Sequence, residues 1–203
     1  LNAMVEAGLD YELKVINIFK GEQKSPEYLK VHPGGKVPAL QIEDGRVLTE
    51  NASILMYLHE LAPEAGILPA SDDAFTRAQY RSDLVWCSST FHVAVRQVRM
   101  AMRFTDGDSS GVRAKGVEFT SDIFKQVDSR VSDGRWWYGD TWSIVDVYIL
   151  WCVMTATSAE PSLLQANPNI QAHMQRVMDR PSFKEAMMIS LGLEKEHQIE
   201  FPA

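Results

Sequence analysis

The sequence predicts a small α/β domain over residues 1–66 and an all-helical domain over 67–203. Three observations lead there. The first third alternates between strand-like and helix-like apolar periods, with an Asp44-Gly45 hairpin signal inside it. No convincing strand follows Pro69, and the segment Gly66-Ile67-Leu68-Pro69 reads as the linker between the two.

Taken in order, Asn2 to Ala7 reads as helix, ended by Gly8 at a position that favours the left-handed conformation. A helix begun at residue 1 without a cap reads as the second half of one, so further sequence is expected upstream. Tyr11, Leu13 and Val15 alternate, which predicts a strand from Tyr11 to Ile18. Ser25-Pro26 is an N-cap followed by proline at the first helical position, opening a short helix to about Lys30. After the turn His32-Pro33-Gly34-Gly35, two strands flank Asp44-Gly45: Val37 to Ile42 and Arg46 to Thr49. A helix then opens at Glu50-Asn51, with Ile54, Leu55, Leu58 and Leu61 at helical spacing, and stops before Pro63.

In the second part, a long helix is expected from Asp72 to about Phe104, and another from Val112 to Val131. Ser143-Ile144-Val145-Asp146 is a capping box with Asp in place of Glu. It starts a helix apolar on most sides, the pattern of a buried one. Asn167-Pro168 opens a helix to Asp179, and Arg180-Pro181 breaks into a last one.

Composition narrows the function. A net charge of −7 and a pI near 5.2 oppose binding to a phosphate backbone or an anionic membrane, and no run approaches a membrane span. Neither nucleic acid nor membrane is expected as a partner. Cys87 and Cys152 have no metal spacing and suggest no disulfide frame, so a reducing cytoplasmic home and no metal are expected.

Three patterns carry chemistry, each beside a plainer explanation. Val37-Pro38 is either an ordinary edge proline or a cis peptide that turns the Val37 backbone outward to pair with an extended ligand. Glu50-Asn51 is either a capped helix with a solvated Glu, or a seat for an α-amino acid head. In the second case the helix dipole takes a carboxylate and Glu50 an ammonium, while Asn51 both caps and contacts the ligand. His92, Arg96, Arg99 and Arg103 fall at about 0°, 40°, 340° and 20° on one helix. They form either a solvated face or a site for an anion.

The stretches Glu6 to Leu58, Gly139 to Tyr148 and Asn167 to Met187 together resemble the soluble glutathione transferases. The resemblance spans nearly the whole chain. It implies a thioredoxin-like first domain that binds glutathione. Val37 would pair with the cysteinyl backbone across a cis Pro38, Glu50 and Asn51 would hold the γ-glutamyl end, and Lys36 would reach the glycyl carboxylate. Ser143 and Asp146 would be structural. The bacterial beta class is the most similar, because its arginine and histidine fifteen residues apart match Arg77 and His92. His92 would then face the thiol site, and Arg96, Arg99 and Arg103 would favour an anionic substrate. Val93 stands where that class has Lys, Asn51 where the family has Ser, and His32 where it has Asn.

In the family, the residue that contacts the glutathione sulfur lies on a first strand. By the resemblance that strand falls ahead of Leu1, so the catalytic residue is unassigned and residues 1–203 alone are expected to bind glutathione poorly. The implied activity is conjugation of glutathione, as co-substrate, to electrophilic small molecules by a homodimer, with a role in detoxification. The alternatives are a glutathione-dependent thiol reductase or lyase, and a non-catalytic binding protein on the same fold.

Overall fold

The computed structural model describes residues 1–199. Contacts divide the chain into two units: Leu1–Ala65 together with the chain from Pro181 on, and Gly66–Arg180.

The first unit opens with α1 (Asn2–Ala7), which Gly8 ends at φ 60°, ψ 28°. α2 (Pro26–Val31) is capped by Ser25, whose hydroxyl accepts from the Tyr28 amide at 3.2 Å. β1 (Ala39–Gln41) and β2 (Val47–Thr49) form an antiparallel pair in the register Ala39↔Thr49, Leu40↔Leu48, Gln41↔Val47. Asp44 and Gly45 make the turn: Gly45 has φ 88°, and Asp44 Oδ1 accepts from the Arg46 amide at 3.0 Å. α3 (Asn51–Leu61) buries Ala52, Ile54, Leu55 and Leu58.

The strand expected over Tyr11 to Ile18 does not form. Alternation reports which side chains are apolar, whereas a strand exists only with a partner. Among the described residues the sheet has two strands, and backbone amides 10–16 donate no hydrogen bond to another strand. The last helix, α10 (Pro181–Glu196), packs on α1, where Asn2 Nδ2 donates to the Ser182 carbonyl at 3.4 Å and Ser182 Oγ donates to Glu6.

The second unit holds α4 (Ala74–Trp86), α5 (His92–Arg99), α6 (Ser110–Arg130), α7 (Ile144–Ala159), α8 (Ser162–Gln165) and α9 (Pro168–Asp179). The single helix expected from Asp72 to Phe104 is interrupted. A π-helical turn occupies Cys87–Phe91, α5 ends at Met100 (φ −130°, ψ 40°), and a 3₁₀ turn takes Ala101–Arg103. The cause of the π turn is local. Ser88 Oγ and Ser89 Oγ both donate to the Val85 carbonyl, at 3.0 and 2.8 Å, and compete with the backbone ladder there.

The core of this unit is Phe91, Val95, Phe124, Val127, Ile149 and Val153. α5 and α6 touch backbone to backbone at Gly116. A Cβ there would lie 2.7 Å from Gln97 Cβ and 2.8 Å from the Gln97 carbonyl carbon. Gly116→Ala is therefore expected to lower stability by about 1–3 kcal/mol despite its better helix propensity. Urea unfolding reads this, and an unchanged midpoint would mean the two helices are not so close.

Asp146 is the polar centre of the unit and is 0% exposed. Its Oδ2 accepts from the Ser143 amide at 2.9 Å and from Ser143 Oγ at 3.1 Å, closing the capping box. Its Oδ1 accepts from the Trp137 amide and from His173 Nε2, both at 2.8 Å. Asp83, also buried, accepts from Trp137 Nε1 at 3.1 Å and from the Tyr138 hydroxyl at 2.8 Å. α7 is less enclosed than its apolar sequence suggests, since Trp151 and Met154 are both exposed.

Candidate functional site

Ala39 opposite Thr49 has a consequence for the residues just outside the pair. Val37-Pro38 precedes one strand and Glu50-Asn51 follows the other, so both lie at the same end of the hairpin. Lys36 stands next to them. These are the five residues that sequence reasoning singled out, and the turn brings them together.

The Val37-Pro38 peptide bond is cis. Val37 is 44% exposed, and among the described residues neither its N–H nor its C=O is hydrogen-bonded. Such an edge can accept an extended chain as an added strand. The loop that presents it is anchored from below. The buried Tyr28 donates its hydroxyl to the Lys36 carbonyl at 2.7 Å, and Lys24 Nζ donates to the Gly34 carbonyl at 3.2 Å. Gly35 has φ 57° against the Lys24 side chain, and a Cβ would stand 2.8 Å from the Gln23 carbonyl oxygen. Lys36 itself is exposed.

Glu50, not Asn51, occupies the N-cap of α3, and its side chain makes no capping bond. The expected capping role of Asn51 is thus corrected, because Asn51 is already the first helical residue. The amides of Asn51, Ala52 and Ser53 point out of the helix end without a side-chain acceptor, which leaves the positive end of the dipole open to an anion. Glu50 adopts φ 67°, ψ 118°, a conformation that costs a side-chain-bearing residue of order 1–3 kcal/mol. Strain of this size tends to persist where the residue has a task. Nothing in the sequence signals it.

In the helical unit, His92, Arg96 and Arg99 share a face of α5 as their spacing predicts. Arg103 does not belong to that face, since the helix ends before it. His92 Nδ1 lies 3.3 Å from the Tyr148 hydroxyl, and its ring centroid is 4.5 Å from that of Trp151, the two rings tilted by 60°. Burial, and secondarily the charge of Arg96, holds the His92 pKa below the usual histidine value, so the ring is uncharged at neutral pH. Tyr148 and Trp151 were not foreseen beside it, because each is far from His92 in sequence. Cys87 and Cys152 are fully buried, and burial pushes both thiols up, which suits core residues and not nucleophiles. Among the described residues no cluster of side chains could hold a metal ion, and no helix is long and apolar enough to cross a membrane.

Comparison with known proteins bears on this arrangement. The family model for the N-terminal domain of glutathione S-transferase matches residues 1–61, and that for its C-terminal domain matches residues 109–187. Maleylacetoacetate isomerase of Pseudomonas aeruginosa is 30% identical over 189 residues, covering 91% of this chain and 87% of that protein. A glutathione transferase homolog from Sulfitobacter, solved with bound glutathione, superposes with a TM-score of 0.81 at 28% identity, over 93% of this chain and 90% of that one. A beta-class glutathione S-transferase of Sphingomonas chungbukensis gives 0.79 at 26% identity with the same coverage. With both domain models matched and a relative 30% identical over nearly the whole chain, the chain belongs to the glutathione S-transferase family.

Proposed function

We propose that glutathione lies extended across the end of the hairpin where Val37 and Glu50 meet. Its cysteinyl backbone pairs with Val37. Its γ-glutamyl carboxylate sits on the first amides of α3 beside Asn51, with the ammonium on Glu50, and Lys36 takes the glycyl carboxylate. The register Ala39↔Thr49 carries this reading, because it places an unpaired strand edge and an open helix N-terminus side by side.

As a member of its family the chain is an enzyme with glutathione as co-substrate. It joins the glutathione thiol to an electrophilic small molecule. A free thiol has a pKa of about 8.5, so a neighbouring donor or positive charge must raise the thiolate fraction at neutral pH. We further propose a beta-class-like enzyme, acting as a cytoplasmic homodimer in detoxification. The likeness to the Sphingomonas structure and the two buried, unpaired cysteines support this.

The test is conjugation of glutathione to 1-chloro-2,4-dinitrobenzene by the full-length protein, with calorimetric titration of glutathione alongside. Catalysis above the uncatalysed rate together with saturable binding is expected. Binding without turnover would indicate a non-catalytic protein, and absence of both would overturn the proposal.

The identity to maleylacetoacetate isomerase favours a second reading, in which the thiolate adds to a conjugated double bond and then leaves again. Glutathione would then be regenerated, so its consumption per product formed separates the two.

A further inference from the structure

α5 and α7 run side by side in the same direction, with contacts matched turn for turn. His92 meets Trp151, ring centroids 4.5 Å apart, and Arg99 Nη1 donates to Ser158 Oγ at 3.3 Å. Seven residues separate the two contacts on each helix, a rise of about 10 Å and close to two full turns. The four side chains therefore line one strip, two helices wide and about as long as a small organic acid.

The strip has two different ends. At one, the rings of His92 and Trp151 meet at an interplanar angle of 60°, and the Tyr148 hydroxyl lies 3.3 Å from His92 Nδ1. Trp151 is 44% exposed although its neighbours Cys152 and Val153 are fully buried, so it offers an aromatic surface to solvent. At the other end are Arg99 and Ser158, with the exposed Arg96 one turn back along α5. Neither arginine forms an ion pair among the described residues. α5 carries no acidic residue. Glu160, just past the end of α7, is engaged by Arg113 at 2.9 Å and by Ser162 at 2.6 Å. Two cations without a counter-ion among the described residues thus stand one turn or two from an exposed indole, in a chain of net charge −7.

We propose that this strip binds small planar carboxylates, aromatic or conjugated, with the π-system on Trp151 and the acid on Arg99 and Arg96. The strip lies within the helical unit alone, and as a binding site it stands apart from the function proposed above. Guanidinium is suited to the task because its planar fork meets both carboxylate oxygens.

Cinnamate and its neutral isostere methyl cinnamate, titrated calorimetrically into the full-length protein without glutathione, test it. Cinnamate is expected to bind roughly tenfold or more tightly than the ester, the scale of one charge-assisted contact. Arg96→Gln with Arg99→Gln should bring cinnamate to the affinity of the ester and leave the ester unchanged, while Lys at both positions should restore part of the difference. Trp151→Ala should weaken both ligands. Equal affinity of acid and ester for the unaltered protein, no binding of either, or an unmoved acid preference in the double variant would overturn the proposal. Should the double variant fail to fold, the acid–ester comparison on the unaltered protein still decides. Loss of glutathione binding with cinnamate binding intact would strike the transferase reading and leave this site standing.

Discussion

Asp146→Ala is expected to cost about 3–5 kcal/mol, a large share of the stability of an ordinary domain. The carboxylate is wholly buried and holds four donors: the amides of Ser143 and Trp137, Ser143 Oγ and His173 Nε2. Truncation strands all four in an interior that water does not reach, and each unmade bond to a buried group costs about 1–3 kcal/mol before relaxation. It also uncaps α7, the most apolar helix of its unit. Asp146→Asn keeps one acceptor oxygen and turns an amide toward the remaining donors, so its loss should be smaller but still clear. Urea unfolding followed by circular dichroism measures both. A loss below about 1 kcal/mol for the alanine variant would show that the four bonds do not act together.

The second large effect falls on ligand binding. Glu50→Gln should raise the KM for glutathione roughly ten- to a hundredfold, the value of a charge-assisted hydrogen bond, with kcat at saturating glutathione little changed. Glu50 is exposed and makes no capping bond, so thermal stability should hardly move. Steady-state kinetics and a melting curve on the same sample separate the two quantities. A KM within twofold of the parent would remove Glu50 from the ammonium site.

What could be read from the sequence was chemistry confined to a few neighbouring residues. Ser25-Pro26 caps and opens α2, Asp44-Gly45 turns the hairpin, and Ser143 to Asp146 closes the capping box. The five residues proposed to hold glutathione were legible for the same reason, since a single hairpin gathers them. Features made by distant residues left no local trace. Asp83 meets Trp137 and Tyr138 across more than fifty positions, and His173 reaches Asp146 across 27. α10 belongs by its contacts with α1, at the opposite end of the sequence. The arginine stripe was partly misread because helical spacing assumes an unbroken helix. The helix stops at Met100, after Arg99, and Arg103 leaves the row. Tyr11 to Ile18 alternates like a strand yet finds no partner among the described residues.

The most direct test uses S-methylglutathione, which keeps both charged ends and the peptide backbone but cannot form a thiolate. In ¹⁵N-labelled full-length protein, the amides of Val37, Asn51, Ala52 and Ser53 should shift together along one saturation curve. Saturation that moves other amides while these four stay still would place the tripeptide elsewhere and contradict the hairpin-end site.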